Sequence, residues 1–353
     1  MCPVCTVAFF PNNPRWDANP YLPLLRQALI GEGVDVVAAR GDYLSARRLW
    51  ADRHRIDVLH FHWIQYHYLV APRQGSASVL ISFVRNLVWA RALGYRIVWT
   101  MHNVMPHEPV PGKLDLIARW AMIWLADAVL VLCEAGRQEL AHRFGRRRGV
   151  YTASLGTYVG AHPSGITRAE ARAELDLRPD QFIYFFFGSV RRYKGVERLL
   201  ETFASLPGEN LRLLVAGRPQ SDDLRQLLER ASNQDARIRE EFSFLPDDRL
   251  QAHMAAADVV VLPFETVMSS SSVIAAMSFG KPVIVPALGC LVAWVLPECG
   301  ILYDSDDEAD LRRAMLRAQH TNLVEMGQAA YQRALEFSWQ AVAKDTLGAY
   351  LGM

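Results

Sequence analysis

A basic turn in the second half of the chain has the residues needed to hold a phosphate. In FFFGSVRRYKGVERLLETF, an apolar strand ends at Gly188, and Arg191 and Lys194 lie in the turn before a helix that begins near Val196. Cations beside a glycine, where backbone can approach closely, can neutralise a diphosphate that gains charge as it leaves. A solvated basic loop is the alternative. The position at the carboxyl end of a strand favours the phosphate site.

A run of four serines forms a second candidate phosphate contact. In LPFETVMSSSSVIAAMSFGKPVIVP, the strand predicted over 259–263 leads to Ser270, Ser271 and Ser272, directly before a helix predicted over 273–279. Free backbone N–H groups and the positive end of the helix dipole attract phosphate at such a helix start. The alternative is one ordinary N-cap serine among solvated neighbours. Together with the basic turn, the serines predict a diphosphate site.

Histidines follow two strands of the first half. In IVWTMHNVMPHE, His102 and Asn103 come directly after a strand, and in VLHFHWIQYHY alternation places His60 and His62 on one face. An imidazole at a strand's carboxyl end can exchange hydrogen bonds with a sugar hydroxyl and can act as an acid or a base. The alternative is that these are hydrogen-bonded structural histidines. We interpret them as parts of a site for a hydroxyl-bearing acceptor, that is, the molecule that would receive a transferred group. His102 is the catalytic candidate.

The first turn of the chain is a further acceptor candidate. FFPNNPRWDANPYLPLL carries Asn13, Arg15, Trp16 and Asp17 where a dinucleotide fold would carry the glycines of G-x-G-x-x-G. Trp16 could stack on a sugar ring, and its polar neighbours could bind hydroxyl groups. The loop is therefore predicted to face the acceptor and not a dinucleotide cofactor.

No metal site is predicted. Cys2 and Cys5 form a CxxC without a second Cys or His pair at zinc spacing, and His60 and His62 lack an acidic or cysteine partner. The DxD-like segment 304–306 lies in a loop that we interpret as solvated. We therefore expect a protein that needs no metal ion and no other cofactor.

Alternating strands and helices position these residues. At 353 residues the chain should form two domains, and both halves repeat the βα pattern of parallel sheets covered on both faces. The predicted strands are 4–10, 34–39, 58–61, 96–101 and 128–132 in the first half, and 182–188, 211–216, 241–244, 259–263 and 282–286 in the second. The predicted domains are 1–160 for the acceptor and 161–335 for the nucleotide sugar, with a final helix in 336–353, capped by Ser338, that could cross back to the first domain.

Charge and hydropathy bear on the chain's partners. Residues 1–150 contain 18 Lys and Arg against 11 Asp and Glu, and the remainder contains 20 against 26. A basic first half suits a lipid diphosphate or a membrane surface, although a solvated basic face is the common cause of such an excess.

The apolar segment 113–132 is interpreted as a buried helix followed by a core strand, with weak peripheral membrane contact as the alternative. No nucleic-acid partner is expected. With no signal peptide or membrane span in view, the predicted location is cytoplasmic, with the inner face of the membrane as an option.

These motifs resemble the retaining glycosyltransferases of family 4, which have the GT-B fold: two Rossmann-like, doubly wound parallel-sheet domains with a cleft between them. The resemblance implies that Lys194 and Arg191 hold the donor diphosphate, that His102 in WTMHN contacts the transferred sugar, and that Phe244 and Leu245 lie beside the nucleobase. The segments HFHW, WTMHN and FGSVRRYKGV are similar to bacterial polysaccharide-assembly members, several of which use GDP-mannose.

One departure from that family affects the chemistry. The family carries two glutamates eight positions apart, and this chain has Val267 and Ala275 there. Glu265, two residues upstream, is the candidate replacement, and Ser189 stands where the family has an arginine, with Arg191 as its replacement. The resemblance implies retention of anomeric configuration, and the missing carboxylates put that outcome in question.

The sequence thus predicts a metal-independent hexosyltransferase, with mannose favoured, acting on a saccharide or lipid-linked acceptor in polysaccharide or glycoconjugate biosynthesis. Two alternatives stay open. A catalytically weak GT-B scaffold would bind a nucleotide sugar or a partner without turnover. A nucleotide-sugar epimerase would need several acid–base carboxylates and no acceptor.

Overall fold

A computed structural model describes residues 3–11, 20–38, 44–71, 74–105 and 113–353. The chain divides into two compact units, which we call unit 1 (Met1–Gly156 with Phe337–Met353) and unit 2 (Thr157–Glu336). Each unit is built on one six-stranded parallel sheet with helices packed against it.

Unit 1 carries the first sheet. Its strands are β1 (Thr6–Phe10), β2 (Asp35–Val37), β3 (Val58–Phe61), β6 (Arg96–Met101), β7 (Ala128–Val131) and β8 (Val150–Thr152), and a small antiparallel hairpin is formed by β4 (Leu69–Ala71) and β5 (Gln74–Gly75). The accompanying helices are α1 (Tyr21–Gly31), α2 (Ala46–Asp52), α3 (Ala77–Ala92), α4 (Leu114–Leu125) and α5 (Glu134–Phe144). The sheet order is β2-β1-β3-β6-β7-β8. All residues of β3 and β7 are buried, as expected for parallel strands covered on both faces.

Unit 2 repeats the plan with a second sheet. Its strands are β9 (Phe182–Phe187), β10 (Leu211–Ala216), β11 (Ile238–Glu241), β12 (Val259–Val261), β13 (Val283–Pro286) and β14 (Gly300–Tyr303). Its helices are α6 (Arg168–Glu174), α7 (Val196–Ala204), α8 (Asp222–Gln234), α9 (Asp247–Ala256), α10 (Ser271–Ser278), α11 (Leu291–Trp294), α12 (Asp310–Ala318) and α13 (Leu323–Glu336). The order β11-β10-β9-β12-β13-β14 is the 3-2-1-4-5-6 order of a dinucleotide-binding fold.

The last helix, α14 (Trp339–Leu351), belongs to unit 1 and packs against α1. Ser338 caps it, as predicted, by accepting a hydrogen bond from the Ala341 amide at 3.1 Å. The Trp339 indole covers Gly156 so closely that an added Cβ there would lie 2.2 Å from its ring carbons. The end of the chain is therefore part of the first unit's core.

The strand order reverses once in each sheet, between β1 and β3 in unit 1 and between β9 and β12 in unit 2. At such a point the two neighbouring connections leave on opposite faces, so a crevice opens at the carboxyl ends of the strands. The residues that follow β3, β9 and β12 therefore occupy the positions where doubly wound sheets bind ligands.

The two-sheet architecture predicted from the alternating pattern is confirmed, with local corrections. The prediction of a strand over 241–244 was wrong, because the strand here, β11, spans Ile238–Glu241. Its charged side chains lack the apolar pattern that predicts a strand. Strands β8 and β14 were missed. Helix α10 begins at Ser271, two residues earlier than predicted, so two of the candidate serines are its first residues.

No helix in the described ranges combines the length and the apolar character that crossing a membrane requires.

Candidate functional site

The turn after β9 places a buried cation over a glycine. Gly188 has a φ of +92°, and a Cβ added there would lie 3.0 Å from Lys194 Nζ and 3.8 Å from Ser272 Oγ. Lys194 ends a single 3-10 turn and is buried, with 8% of its surface exposed. Among the described residues it pairs with no carboxylate. Burial and the nearby Arg191 lower the pKa of Lys194 to about 8. The turn is thus poised to gain an anion.

A second glycine locks this turn onto the strand switch point. Gly195 has a φ of +71°, and an added Cβ would lie 1.9 Å from the Pro263 carbonyl oxygen. The Glu265 amide donates to the Tyr193 carbonyl oxygen at 2.8 Å. The segments after β9 and β12 are therefore held together by backbone contacts, which places Lys194 beside the start of α10.

The serines at the start of α10 have distinct surroundings. Ser270 occupies the N-cap position and is buried, but its side chain makes no capping hydrogen bond. The Ser271 side chain is hydrogen bonded with Tyr158. Ser272 presents its hydroxyl toward Gly188. The first amides of α10 have no partner within the helix, so they are available to an anion together with the Ser272 hydroxyl.

Glu265 is the carboxylate nearest to the expected acidic positions. It is exposed, and its pKa is raised by partial burial and by Glu197, while Arg192 and Arg198 act in the opposite direction. Val267 is half-buried, and Ala275 is buried within α10, 8% exposed. The two positions where the family resemblance implies glutamates therefore offer no side-chain acceptor.

The residues proposed to lie beside the nucleobase follow β11. Phe244 is 56% exposed and Leu245 is 9% exposed, and both lie in the segment that leads to α9. An exposed aromatic ring at the carboxyl end of a strand is available for stacking.

Three histidines meet at the carboxyl ends of β3 and β6 in unit 1. The ring centroids of His60 and His62 are 4.2 Å apart, so the predicted shared face is confirmed, and those of His62 and His102 are 5.6 Å apart. His62 Nδ1 lies 3.4 Å from His102 Nε2. Trp63 stacks on His102 at 4.9 Å, and the Tyr21 ring meets it edge-on at 5.1 Å. An aromatic wall thus surrounds the His102 imidazole.

Burial keeps these imidazoles neutral. It lowers the pKa of His60 and of His102 to about 3 each, and it lowers the pKa of His62 well below the ordinary value, with His60 and His102 adding to the effect. A neutral ring can accept a hydrogen bond, but a pKa of about 3 makes His102 a poor proton acceptor near pH 7. The cluster therefore suits contact with hydroxyl groups.

The three histidines differ in what they leave free. His60 is fully buried, and both of its ring nitrogens are engaged at 2.7 Å, one with the Tyr350 hydroxyl of α14 and one with Thr100. Because both ring nitrogens are engaged, His60 has no polar atom left to bind an acceptor, so its predicted role in the acceptor site was wrong. It packs against His62 instead. His62 Nε2, in contrast, is buried and has no hydrogen-bond partner among the described residues.

A buried charge network holds the turn after β6. Arg119 Nη1 donates to the carbonyl oxygens of Asn103 at 2.8 Å and Val104 at 3.2 Å, and Arg119 Nε donates to Asp115 at 2.7 Å. The Tyr68 hydroxyl donates to the same carboxylate. Asn103 itself is half-buried, and its Oδ1 has no partner in the described part of the chain. Sequence reasoning missed this network, although two charges four residues apart in an apolar helix were a readable signal.

Four acceptor candidates, Asn13, Arg15, Trp16 and Asp17, lie outside the described residues. Over the ranges that the structure does describe, no three His, Cys, Asp or Glu side chains are grouped so that they could hold a metal ion.

Comparison with known proteins bears on the chemistry. Residues 181–320 match the family model "Glycosyl transferases group 1". The chain is 28% identical over 323 residues to a protein of Xanthomonas campestris pv. campestris named GDP-mannose:glycolipid 4-beta-D-mannosyltransferase, covering 89% of this chain and 84% of that protein.

Solved structures share the architecture over nearly the whole chain. Sucrose-phosphate synthase from Thermosynechococcus elongatus superposes with a TM-score of 0.77 at 19% identity, covering 99% of this chain and 98% of that one. The Anabaena protein Alr3699/HepE in complex with UDP-glucose gives a TM-score of 0.73 at 15% identity, covering 99% and 100%. The family match, the Xanthomonas relative and the shared two-sheet architecture together support the assignment of this chain as a glycosyltransferase of the GT-B fold.

Proposed function

We propose that this chain transfers a hexose from a nucleoside diphosphate sugar to a saccharide or lipid-linked acceptor, as a step in polysaccharide or glycoconjugate biosynthesis. The observation that carries the proposal is the buried Lys194 ammonium, which pairs with no described carboxylate and faces Gly188 and Ser272. Burying a cation without a counter-charge is unfavourable. A donor diphosphate bound at this turn would supply the missing negative charge.

The chemistry required of this turn is stabilisation of a leaving group. In the transfer, the acceptor hydroxyl oxygen bonds to the anomeric carbon of the sugar as the bond from that carbon to the diphosphate oxygen breaks. The bonding electrons stay on the diphosphate, and the hydroxyl proton passes to a base. Lys194, Arg191 and the first amides of α10 would stabilise the charge that builds on the diphosphate.

We infer that this stabilisation needs no metal. Fixed cations and helix amides can take the place that a divalent ion holds in other nucleotide-sugar sites, since they require no reorganisation as charge develops. The inference predicts full activity in EDTA.

The acceptor is proposed to bind in unit 1. His102, with its lowered pKa of about 3, and His62 are neutral near pH 7 and can accept hydrogen bonds from hydroxyl groups. The unpartnered His62 Nε2 and Asn103 Oδ1 are polar atoms that a bound saccharide could satisfy. The loop that carries Trp16 and Asp17 stays part of this proposal on sequence grounds alone.

GDP-mannose is the favoured donor, because the relative from Xanthomonas bears that substrate in its name. That name also specifies a β linkage, and a β-mannoside made from the α-linked GDP-mannose requires inversion. Val267 and Ala275 remove the glutamates expected of a retaining enzyme. We therefore favour inversion over the retention that the resemblance to family 4 implies, with Glu265 as the carboxylate that would contact the transferred sugar.

We also infer that the reaction takes place in the cytoplasm. A charged nucleotide sugar does not cross a bilayer unaided, so the enzyme must act on the same side of the membrane as its donor.

The test is transfer by the purified chain in EDTA, with GDP-mannose, UDP-glucose and ADP-glucose offered separately with lipid-linked saccharide acceptors. Mass spectrometry of the product identifies the sugar, and the anomeric one-bond carbon–proton coupling reports the linkage. Mannosylated product with a β linkage supports the proposal. Nucleotide binding without turnover on any acceptor would support the scaffold alternative. Free epimerised sugar formed without an acceptor would support the epimerase alternative.

A further inference from the structure

Helix α4 buries both of its charged side chains, together with Ala118, Met122 and Ile123, and exposes four apolar ones to solvent. The only two charged residues of the helix, Asp115 and Arg119, are both 5% exposed. Four apolar residues are exposed instead, which we call the apolar face of α4: Leu116 at 39%, Ile117 at 50%, Trp120 at 40% and Trp124 at 55%. Their spacing follows the helical repeat, so they form one stripe. The sequence-based interpretation of a buried helix is therefore right for the face that carries Met122 and Ile123 and wrong for the opposite face.

The two tryptophans of this face lie together. Their rings are stacked, with centroids 6.3 Å apart, and Trp120 also meets Phe144 of α5 edge-on at 5.2 Å. Tryptophan is enriched where a protein meets the headgroup level of a bilayer, because its ring is apolar and its N–H is polar. A contiguous exposed stripe of this kind marks an interaction surface.

The neighbouring helix α3 has the same character. It packs against α4 and exposes Ile81, Val88 and Trp89 together with Arg85. Helix α3 contains no acidic residue, and the one in α4 is buried. The two helices therefore present apolar and basic side chains, and no negative charge, to solvent.

Arginines surround the carboxyl-terminal end of α4. Arg91 Nη1 donates to the Leu125 carbonyl oxygen at 2.9 Å, and Arg146 Nη1 donates to the Ala126 carbonyl oxygen at 2.8 Å. Arg147 and Arg148 follow, both exposed and, in the described part of the chain, without an ion pair. Arg91 is also paired with Asp127 at 3.5 Å, so the positive charge that complements an anionic surface comes chiefly from Arg147 and Arg148.

A cavity of about 460 Å³ opens beside the apolar face. It is lined by Met105, Leu116, Trp120, His142, Arg143 and Phe144. Met105, which lines the cavity, follows His102 by three residues. Both therefore lie in the segment between β6 and α4. The apolar walls suit a lipid chain, while Arg143 at this cavity is ion-paired with Glu139.

We propose that the apolar face of α4 and the arginines at its carboxyl-terminal end dock unit 1 onto an anionic lipid bilayer. The tryptophans insert at the headgroup level, and the arginines contact anionic headgroups. The docking orients the acceptor side of the molecule toward lipid. It extends the proposed function, since a surface-bound enzyme meets lipid-linked acceptors in two dimensions, but it requires neither donor nor turnover.

The experiment is flotation of the full chain with vesicles, without nucleotide or acceptor, so that its failure leaves the transferase proposal untouched. Vesicles of phosphatidylcholine alone are compared with vesicles containing about one-third phosphatidylglycerol. We expect the wild-type chain to float with the anionic vesicles and to be released by high salt, because exposed charges are screened.

Matched variants separate the contributions. The double variant Trp120→Ser/Trp124→Ser should lose at least about tenfold in the floating fraction, since the interfacial anchors are gone. Trp50→Ser is its control, because Trp50 is equally exposed, at 53%, on a different helix. Arg147→Glu/Arg148→Glu should abolish the preference for anionic vesicles. Its control, Arg230→Glu/Arg312→Glu, changes two exposed arginines of unit 2.

Unchanged thermal unfolding of the variants shows that they fold. The proposal is overturned if the wild-type chain does not float, or if the tryptophan variant floats as well as Trp50→Ser. It is equally overturned if light scattering finds a wild-type dimer that the tryptophan variant converts to monomer while neither protein floats. In that case a second copy covers the face.

Discussion

The two candidate sites lie at equivalent places in similar sheets but differ in charge. In unit 2, the turn after β9 buries a Lys194 ammonium that no described carboxylate neutralises. In unit 1, the ends of β3 and β6 bury imidazoles whose lowered pKa values keep them uncharged. Both sites follow strands at or beside the reversal of strand order in their sheet.

This difference in charge indicates which kind of ligand each site would bind. A cation held without a partner is stabilised by an anion, so unit 2 suits a diphosphate. Neutral rings with an unsatisfied nitrogen are stabilised by hydrogen-bonding groups, so unit 1 suits sugar hydroxyls. In both cases the fold determines where the site lies, and burial determines the charge state of the side chains that could bind the ligand.

The largest expected effect comes from removing the unpaired cation. Lys194→Met should lower kcat/KM for transfer by about 100- to 1000-fold, the usual cost of losing one preorganised group that stabilises developing charge. Because the substitution also removes a buried unpaired charge, the free protein should melt no lower than wild type. Initial rates and thermal unfolding measure the two effects. Lys344→Met, at an exposed lysine, should change neither.

Breaking the network behind His102 should cost stability and rate together. Arg119→Met leaves Asp115 buried without its partner, so we expect a loss of about 3 kcal/mol in unfolding free energy. Because the Asn103 carbonyl loses its donor, kcat should fall while donor binding in unit 2 stays unchanged. Urea unfolding and a comparison of kcat with the donor KM test this. Equal losses in kcat and in donor binding would argue against a positioning role.

The neutral histidines predict a loss of stability in acid. A histidine whose folded pKa is lowered contributes stability that is present above the unfolded pKa of about 6.5 and is lost as pH falls toward the folded value. For His60, whose folded pKa is about 3, the loss between pH 6.5 and 5 is about 2 kcal/mol. Urea unfolding at the two pH values should show a smaller difference for His60→Gln, which keeps hydrogen-bonding groups but cannot titrate. An unchanged difference would show that His60 is charged in the native state.

The smallest expected effect concerns the displaced carboxylate. If Glu265 replaces the missing glutamates, Glu265→Gln should lower kcat about tenfold, at the low end for loss of a group acting on the transferred sugar. Glu197→Gln is the control, because the Glu197 carboxylate raises the pKa of Glu265 and forms an ion pair with Arg192 at 2.6 Å. Equal effects of both substitutions would place the role in the local charge and not in Glu265.

The sequence predicted what depends on local pattern. Alternation of apolar and polar residues located most strands, and the glycines and cations of the turn at 188–195 identified the phosphate candidate. Strand β11 was misplaced because Arg239, Glu240 and Glu241 give it the composition of a surface loop. Its place at the edge of the sheet, where side chains reach solvent, explains that composition.

What the sequence could not predict depends on contacts between distant residues. Alternation put His60 and His62 on one face, but only the fold brings Tyr350, 290 positions away, to saturate His60 and leave His62 free. In the same way, Tyr68 completes the Asp115 and Arg119 pair from another element. Apolar periodicity described α4 as a core helix, because a pattern of apolar residues does not tell which side faces solvent.

The most direct test of the account is a calorimetric titration of the wild-type chain with GDP in EDTA, repeated with UDP and ADP. The account predicts metal-independent binding with a preference for GDP, and no detectable binding by Lys194→Met. It also predicts that affinity falls as pH rises above about 8, where the lowered pKa of Lys194 removes its charge. Absence of binding by every nucleotide, or equal binding by Lys194→Met, would contradict the assignment of this turn as the donor diphosphate site.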